Sequence, residues 1–205
     1  MNVLIINGSP KSNGNTALAL SEMQKIFDAE GVESTILHVG NKAIRGCIGC
    51  GSCAKNGKCV FDDEVNLAAP LFEKADALVV ASPVFYASAN GTLISFLDRL
   101  FYSTSFDKTM KVGASVVVAR RGGLSATFDE LNKYFTISSM PVASSQYWNS
   151  VHGRLPGEAE QDKEGLQTVR TLARNMIFLM KSIALGKEKF GLPEKEVRVA
   201  THFVR

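Results

Sequence analysis

A group of hydrogen-bonding side chains lies near the amino terminus, directly after a short apolar run. Residues 3–6 read VLII and lead into NGSPKSNGNT, after which Leu18, Met23 and Ile26 recur at helical spacing. A strand, a polar loop and a helix in this order bring amides and hydroxyls to the positive end of the helix dipole, which favours an anion. The polar members of this loop are Ser9, Lys11, Asn13, Asn15 and Thr16. The sequence therefore predicts an anion site at the start of the chain.

This loop matches neither of two familiar nucleotide-binding patterns. No Gly-Lys-Ser/Thr closes it, it lacks G-x-G-x-x-G, and the segment TILHVG after Ser34 ends without the carboxylate that a ribose would need. What remains is a cradle of hydroxyls and amides, which suits a terminal phosphate monoester such as that of FMN. The alternative is an ordinary turn in which Asn15 or Thr16 only caps the helix, and such a turn needs fewer polar side chains.

Four cysteines lie within residues 47–59, in the pattern C-x2-C-x2-C-x5-C. They are Cys47, Cys50, Cys53 and Cys59. Three thiolates at this spacing on a glycine-bearing loop can each bind one corner of a cubane, and the fourth can close it, whereas two distant C-x-x-C pairs would be typical of zinc. Three interpretations stay open: a four-iron cluster, free thiols that pack or react in redox chemistry, and a zinc site.

Two further loops contain groups suited to a flat ring. Residues 82–90 (SPVFYASAN) follow an apolar run, and we expect Pro83 to fix a turn there. Val84, Phe85 and Tyr86 would then offer an apolar surface, and neighbouring backbone amides could meet the polar edge of a flavin. The alternative is a hydrophobic loop that covers the edge of a sheet.

The other loop is RRGG at residues 120–123, after the most β-branched apolar run. Gly122 and Gly123 would let the backbone approach a ligand closely. Arg120 and Arg121 could contact the electron-rich edge of a flavin or the phosphates of a nucleotide reductant, or could simply be solvated surface residues.

The elements that must position these loops alternate along the chain. Apolar runs at residues 3–6, 34–38, 77–81, 112–119 and, more weakly, 141–146 predict strands, and residues 15–30, 91–102, 125–137 and 163–183 are patterned as helices. Strands that are apolar throughout and alternate with helices indicate an α/β protein with a doubly wound, five-stranded parallel sheet, in the order 2-1-3-4-5. In such a sheet the ligand lies outside the carboxyl ends of the strands, where all three loops begin.

The domain organisation follows from the same pattern. Residues 1–184 form one domain with a Cys-rich loop at 46–60, and residues 185–205 form a C-terminal extension. Within that extension, GKEKFGLPEK is predicted to be a loop, and VRVATHFV alternates with period two, which predicts an extra strand or arm.

Composition excludes several classes of protein. The 205 residues are 45% hydrophobic and 21% charged, and the formal charge of +3 is not concentrated in any block, so we expect no nucleic acid partner. The first residues lack the features of a signal peptide, and no apolar stretch is long enough for a membrane span. We therefore expect a cytoplasmic protein, in which clustered cysteines serve metal or redox chemistry rather than structural disulfides.

The motifs GSPKSNGNT and SPVFY, together with the order of elements over residues 1–183, resemble the NADPH-dependent FMN reductase family, the multimeric relatives of flavodoxin. The resemblance implies a flavodoxin-like fold and bound FMN, with its phosphate on Ser9, Lys11, Asn13, Asn15 and Thr16. The isoalloxazine would lie between residues 83–86 and 120–123. It also implies electron transfer from NAD(P)H to a small acceptor such as a quinone, nitro or azo compound, in a homodimer or homotetramer. No catalytic side chain is predicted, because this transfer needs no general acid or base. The adjacent Phe85 and Tyr86 depart from relatives that often place one aromatic residue here.

The cysteine motif resembles that of the iron–sulfur flavoprotein subfamily, whose members hold a [4Fe–4S] cluster beside FMN. Carried over, the resemblance makes all four cysteines cluster ligands. It also implies an alternative function, an electron carrier that ferredoxin reduces without NAD(P)H. A third possibility is a flavin-sensing or partner-binding module without turnover.

The remaining polar candidates carry weaker signals. His38 lies in a strand-like segment and is expected to be structural. His152 and Trp148 lie in a loop near the expected flavin entrance, where either could line a pocket or be an ordinary surface residue. The acidic residues 62–64 are expected to begin a solvated helix.

Overall fold

The computed structural model describes residues 1–197, 199–201 and 203. In this part of the chain six strands form one sheet: β1 (Asn2–Asn7), β2 (Glu33–His38), β3 (Ala77–Phe85), β4 (Ser88–Ala89), β5 (Val112–Ala119) and β6 (Ser150–His152). The helices are α1 (Asn15–Ala29), α2 (Ser52–Asn56), α3 (Glu64–Lys74), α4 (Gly91–Ser103), α5 (Leu124–Thr136) and α6 (Lys163–Phe190), with a 3-10 turn at Glu158–Gln161.

Five strands run parallel in the order β2-β1-β3-β5-β6, and the two-residue β4 pairs antiparallel with the end of β3. Without β4, this is the order 2-1-3-4-5, so the predicted doubly wound α/β sheet is confirmed. Strand order reverses beside β1, which brings the carboxyl ends of β1, β3 and β5 together at the place where such sheets bind ligands.

Each central strand buries both of its faces. On one side Val3 and Ile5 pack with α1 and α6, and on the other Leu4 and Ile6 pack with α3 and α4. This two-sided burial explains why the strands are apolar at consecutive positions rather than at alternate ones. It also fixes the sheet as a rigid support for the loops at its carboxyl edge.

The loop predicted after the third strand is instead a continuation of that strand. β3 runs on to Phe85, and Pro83 lies within it, in register with Val118 of β5, so the prediction that Pro83 fixes a turn is wrong. The turn falls at Tyr86 and Ala87, which both have positive φ, and the chain returns as β4. Proline is tolerated here because β1 pairs with β3 only as far as Ala81, so the side of β3 that faces β1 has no partner strand at Pro83.

The fifth parallel strand lies later than the sequence indicates. It is β6, Ser150–His152, whereas the predicted segment 141–146 makes only an isolated parallel bridge between Val142 and Gly113. Residues 141–143 do lie beside the start of β5, where Ala143 is buried. The chain leaves the sheet after Ala143 and rejoins it at Ser150, and a three-residue strand is too short for a periodic pattern to reveal.

The final helix is longer than predicted. α6 continues past Ile183 to Phe190, so GKEKF is helical rather than a loop, and the predicted boundary between residues 184 and 185 lies inside this helix. Of the predicted strand in VRVATHFV, positions 198, 202 and 204 lie outside the described residues, and the described ones are not in a strand. Among the described residues, we find no helix with the length and apolar character that a membrane crossing demands.

Candidate functional site

A cleft opens at the carboxyl ends of β1, β3 and β5. Its lining comes from the loop after β1, the end of β3, the end of β5 and the loop after β6. The lining residues are Ser9, Pro10, Lys11, Gly14, Asn15, Thr16, Pro83, Val84, Phe85, Val118, Ala119, Arg120, Gly153 and Arg154. The three loops singled out in the sequence thus contribute to one site.

The loop after β1 is shaped by its own short hydrogen bonds. The Asn7 side-chain oxygen accepts from the Ser9 amide at 3.0 Å, and the Ser9 Oγ accepts from the Lys11 amide at 3.2 Å. Among the described residues no side chain caps α1, whose first residues Asn15 and Thr16 are buried beside the cleft. The first amides of α1 and the Ser9 hydroxyl hydrogen are therefore available to an anion.

Asn90 holds this loop in place, and the sequence analysis did not single it out. The Asn90 side-chain nitrogen donates to the Gly8 carbonyl at 2.7 Å and to the Gly40 carbonyl at 3.2 Å, while its side-chain oxygen caps α4 by accepting from the Thr92 amide. The Asn90 backbone amide donates to Ser82 Oγ at 2.9 Å. One buried amide thus connects the loops that follow β1, β2 and β4.

A carboxylate on α5 holds the β3–β4 hairpin. Glu130 accepts from the Ser88 hydroxyl at 3.0 and 2.9 Å and from the Ala89 amide at 2.8 Å. Gly123 packs directly under the hairpin, because a Cβ there would lie 2.8 Å from the Ala87 Cα. Its φ of +89° also favours glycine. The RRGG segment therefore supports the hairpin through its backbone.

Eight of the twelve predicted flavin-site residues line the cleft, and four do not. Asn13 is exposed in the loop after β1, Tyr86 projects into solvent from the hairpin turn, and Gly122 and Gly123 do not line the cleft. Asn15 lines the cleft, but its side-chain nitrogen donates to the Leu155 carbonyl at 2.9 Å and its oxygen accepts from the Ala159 amide. The Asn15 side chain therefore ties α1 to the loop after β6.

Arg154 is a cleft residue that the sequence analysis missed. It lies in the loop after β6, and together with Lys11 and Arg120 it gives the lining three cations and no carboxylate. Its position just after a parallel strand could have identified Arg154 as a candidate, but the sequence placed that strand too early, at residues 141–146. The cleft is thus suited to an anionic ligand at more than one point.

The histidines and the tryptophan lie outside the cleft lining. The His38 Nε2 donates to the Ser9 carbonyl at 2.6 Å, which is the structural role expected for it. His152 pairs with Asp162, with 3.2 Å between Nδ1 and Oδ2, and Trp148 stacks edge-to-face with Tyr147. His152, Trp148 and Tyr147 line a separate small pocket with the start of α6, and His38 is not part of it.

The four cysteines border one small cavity between the loop after β2 and α4. Cys47, Cys50, Cys53 and Cys59 all line it and are all free thiols, and the other lining residues are Ile48, Gly51, Val60, Phe61, Arg99, Tyr102 and Ser103. Neither a histidine nor a carboxylate lines the cavity, so the four cysteine sulfurs are its main candidate metal ligands. Soft thiolate ligands of this kind are suited to iron–sulfur clusters or zinc.

Backbone turns bring the cysteines to this cavity. Gly49, Gly51 and Gly57 have φ of +64°, +67° and +68°, a conformation that side chains disfavour, and Gly51 and Gly57 begin and end α2. Asn66 of α3 braces the last cysteine: its side chain accepts from the Cys59 amide and donates to the Cys59 carbonyl, both at 3.0 Å.

Arg99 of α4 is almost completely buried against the same loop. Its guanidinium donates to Cys59 Sγ from Nε and Nη2, each at 3.2 Å, and binds both carboxylate oxygens of Asp63 at 2.6 and 2.9 Å. Burial opposes the charge, but the hydrogen bonds to Asp63 and Cys59 outweigh it and raise the pKa of Arg99. Asp63 also caps α3, so the predicted acidic helix start is confirmed, although its carboxylate is not simply solvated.

The positions of the four thiols can be compared with those that a zinc ion or an iron–sulfur cluster requires. In a tetrahedral zinc site the sulfurs would lie about 3.8 Å apart, because each bond is about 2.3 Å long. Among the described residues no group of three or more Cys, His, Asp or Glu side chains converges closely enough to hold one metal ion. The four thiols line one cavity, and four cysteine thiolates are the ligand set of a [4Fe–4S] cluster.

The sequence is similar to those of a known family and of known proteins. The family model described as NADPH-dependent FMN reductase matches residues 1–154. An iron–sulfur flavoprotein of Methanocaldococcus jannaschii is 31% identical over 191 residues, which cover 89% of this chain and 99% of that protein. An iron–sulfur flavoprotein of Methanosarcina thermophila is 27% identical over 194 residues, which cover 92% of this chain and all of that protein.

A solved structure supports the fold. The structure of a flavodoxin from the domain Archaea superposes with a TM-score of 0.56 at 14% identity, covering 86% of this chain and 99% of that one. Together with the strand order, this likeness confirms the predicted flavodoxin-like fold.

Proposed function

The chain belongs to the NADPH-dependent FMN reductase family and, within it, to the iron–sulfur flavoproteins, and from this premise we propose that it exchanges single electrons between a [4Fe–4S] cluster and FMN. Membership of this family makes it an FMN-dependent oxidoreductase. The finer proposal is that Cys47, Cys50, Cys53 and Cys59 bind the cluster. The observation that carries the proposal is the cavity that these four cysteines share, which no histidine or carboxylate lines.

When bound, FMN supplies both one-electron and two-electron chemistry, and the cluster supplies one-electron chemistry. The protein's part is to bind and orient these groups. Ser9, Thr16 and the uncapped amides of α1 would hold the FMN phosphate, with Lys11 neutralising its charge. The apolar ends of β3 and β5, including Val84 and Phe85, would border the ring and exclude water from it.

Both sites lie at the carboxyl edge of the sheet. The loop with the cysteines leaves β2, and the phosphate loop leaves β1, its direct neighbour. α4 contributes to each, because Asn90 caps it against the phosphate loop and Arg99 reaches the last cysteine from its middle. This shared support is consistent with electron exchange between two bound groups.

A second candidate function is direct reduction by NAD(P)H, followed by transfer to a small acceptor such as a quinone, nitro or azo compound. Arg120 and Arg154 favour it, because both are exposed cations on the rim of the cleft and the lining includes no carboxylate. They could bind the phosphates of a nucleotide.

The first test is to purify the protein without oxygen, reconstitute it with iron and sulfide, and measure FMN, iron and acid-labile sulfide per chain. The proposal expects one FMN with about four iron and four sulfide. Cys53→Ser should lose most of the iron and sulfide but keep FMN. Ser103→Ala, a lining residue without a thiol, is the matched control and should keep all three.

Flavin absorption under two reductants separates the candidates. Rapid bleaching by a reduced ferredoxin system, with no response to NADPH or NADH, is expected of the cluster-to-flavin carrier. Rapid bleaching by either nucleotide in a protein that binds no iron would instead establish the reductase. Sustained turnover with any acceptor would exclude a flavin sensor without activity.

A further inference from the structure

We propose that Arg99 is a positioning residue for the cysteine site, which anchors Cys59 and raises the reduction potential of the group that the four cysteines bind. The proposal depends on the cluster of the proposed function. In this proposal the buried Arg99 fixes the position of the Cys59 sulfur and supplies a positive charge beside it.

The contacts of Arg99 join both ends of the cysteine loop. Beyond Cys59 and Asp63, its guanidinium donates to the backbone carbonyl of Arg45, ahead of the first cysteine, at 3.2 Å, and to that of Phe61 at 3.4 Å. The side chain is 1% exposed. Because α4 packs into the core, a rigid element sets where the loop closes and where the Cys59 sulfur lies.

Arg99 donates two hydrogen bonds to the Cys59 sulfur, and hydrogen bonds to a ligating sulfur affect redox chemistry. A cluster that gains one electron gains one negative charge, and the added charge spreads onto its thiolate ligands. N–H groups directed at a ligating sulfur stabilise the reduced form more than the oxidised form, and hydrogen bonds of this kind are a known determinant of cluster potentials. A guanidinium adds a permanent positive charge in a site of low dielectric constant.

The Asp63 carboxylate weakens the effect of the Arg99 charge on the potential. Substitutions of the two residues should therefore shift the potential in opposite directions. The carboxylate compensates part of the positive charge on Arg99, since the two form a bidentate pair. Removal of the arginine charge should therefore lower the potential, while removal of the carboxylate charge should raise it. A role limited to folding gives no reason for shifts of opposite sign.

Arg45 provides a matched control. Its guanidinium carbon lies 4.6 Å from the centroid of the Phe61 ring, close to the 5.0 Å of Arg99, but the side chain is exposed and its described contacts include no cysteine sulfur. Arg45→Gln removes the same formal charge from beside the same Phe61 ring without removing a donor to Cys59.

The experiment compares Arg99→Gln, Arg99→Lys, Asp63→Asn and Arg45→Gln with the parent, all reconstituted anaerobically. Iron, sulfide and FMN content are measured first, and then the cluster midpoint potential by a redox titration followed by electron paramagnetic resonance. Asp63→Asn keeps the cap of α3, because asparagine caps a helix about as well as aspartate. It therefore removes the charge of the carboxylate while the cap of the helix is kept.

We expect Arg99→Gln to weaken reduction of the cluster at least tenfold, which is 59 mV for one electron. Asp63→Asn should shift the potential upward, Arg99→Lys should fall between Arg99→Gln and the parent, and Arg45→Gln should match the parent. If Arg99→Gln does not assemble a cluster, the sign of the Asp63→Asn shift decides. An unchanged or lower potential in Asp63→Asn overturns the proposal. A parent protein that binds FMN but no iron overturns instead the proposed function on which it rests.

Discussion

At the scale of single residues, a polar side chain in the cleft can bind a ligand only if its donor or acceptor atoms are not already hydrogen-bonded within the chain. Asn15 and Ser9 were equal candidates in the sequence, yet both polar atoms of the Asn15 side chain bond to the loop after β6. The Ser9 Oγ accepts one hydrogen bond from the chain and retains its own hydrogen for a ligand. Ser9 is therefore the better test of the phosphate site.

Ser9→Ala should weaken FMN binding about tenfold, because a hydrogen bond to a charged group contributes roughly 1.5 kcal/mol or more. The dissociation constant can be measured by quenching of flavin fluorescence when FMN is added to apoprotein. Ser12→Ala is the matched control, since Ser12 belongs to the same loop but is exposed and does not line the cleft. Equal affinities for the two variants would contradict the placement of the phosphate.

At the scale of elements, the phosphate loop is held by the close approach of neighbouring backbones. The loop after β2 passes so near to it that a Cβ at Gly40 would lie 2.2 Å from the Gly8 carbonyl oxygen and 2.3 Å from Ser9 backbone atoms. Asn90 bridges the same two segments. The shape of the anion site therefore depends on a segment that does not line it.

Gly40→Ala should displace the phosphate loop, with a loss of unfolding free energy of about 1–3 kcal/mol from overpacking and weaker FMN retention. Urea unfolding and the FMN content of the purified protein measure the two effects. Gly186→Ala in α6 is the control, because nothing lies within 4 Å of its added Cβ. Alanine there should be neutral or stabilising by up to about 1 kcal/mol. Full stability and FMN content in Gly40→Ala would show that the loop tolerates displacement.

At the scale of the whole molecule, α1 and α6 cover one face of the sheet and are joined by ion pairs. Glu22 of α1 binds Arg170 of α6 at 2.8 Å. The hydrogen bond from Lys25 lowers the pKa of Glu22, partial burial opposes this, and Arg170 lowers it further. The resulting pKa of Glu22 lies below the ordinary value of 4.5. The charged Glu22 side chain therefore stabilises the fold above that pH, and this stabilisation is lost as the pH falls through the lowered pKa.

Glu22→Gln should therefore reduce the free energy of unfolding at pH 7 by about 0.5–1 kcal/mol, and the difference from the parent should shrink towards pH 3. Urea unfolding at both pH values measures it. Glu30→Gln is the control, because Glu30 meets Lys181 of α6 at 3.5 Å and both side chains are 52% exposed. A Glu22→Gln difference that stays constant with pH would contradict a role for the charge.

The amino-acid sequence by itself determined the parallel sheet, its strand order, the polar loop after β1 and the cysteine motif. Each of these is encoded in contiguous residues: strands buried on both faces are continuously apolar, and a loop that binds an anion collects its polar groups within a few positions. The sequence also predicted that Val84, Phe85 and Arg120 would meet at one site, and all three line the cleft, although it assigned Pro83 to a turn that the hairpin makes at Tyr86 and Ala87.

Only the tertiary structure decided which distant residues complete the sites. Arg154 joins the cleft because β6 pairs with β5, and Asn90 reaches a carbonyl 82 positions away. Arg99 meets its partners 36 to 54 positions away, although in the sequence it is one charged residue in a helical pattern. Such contacts have no local signal, because the hydrogen-bond geometry that gives these residues their roles exists only once the helices have packed on the sheet.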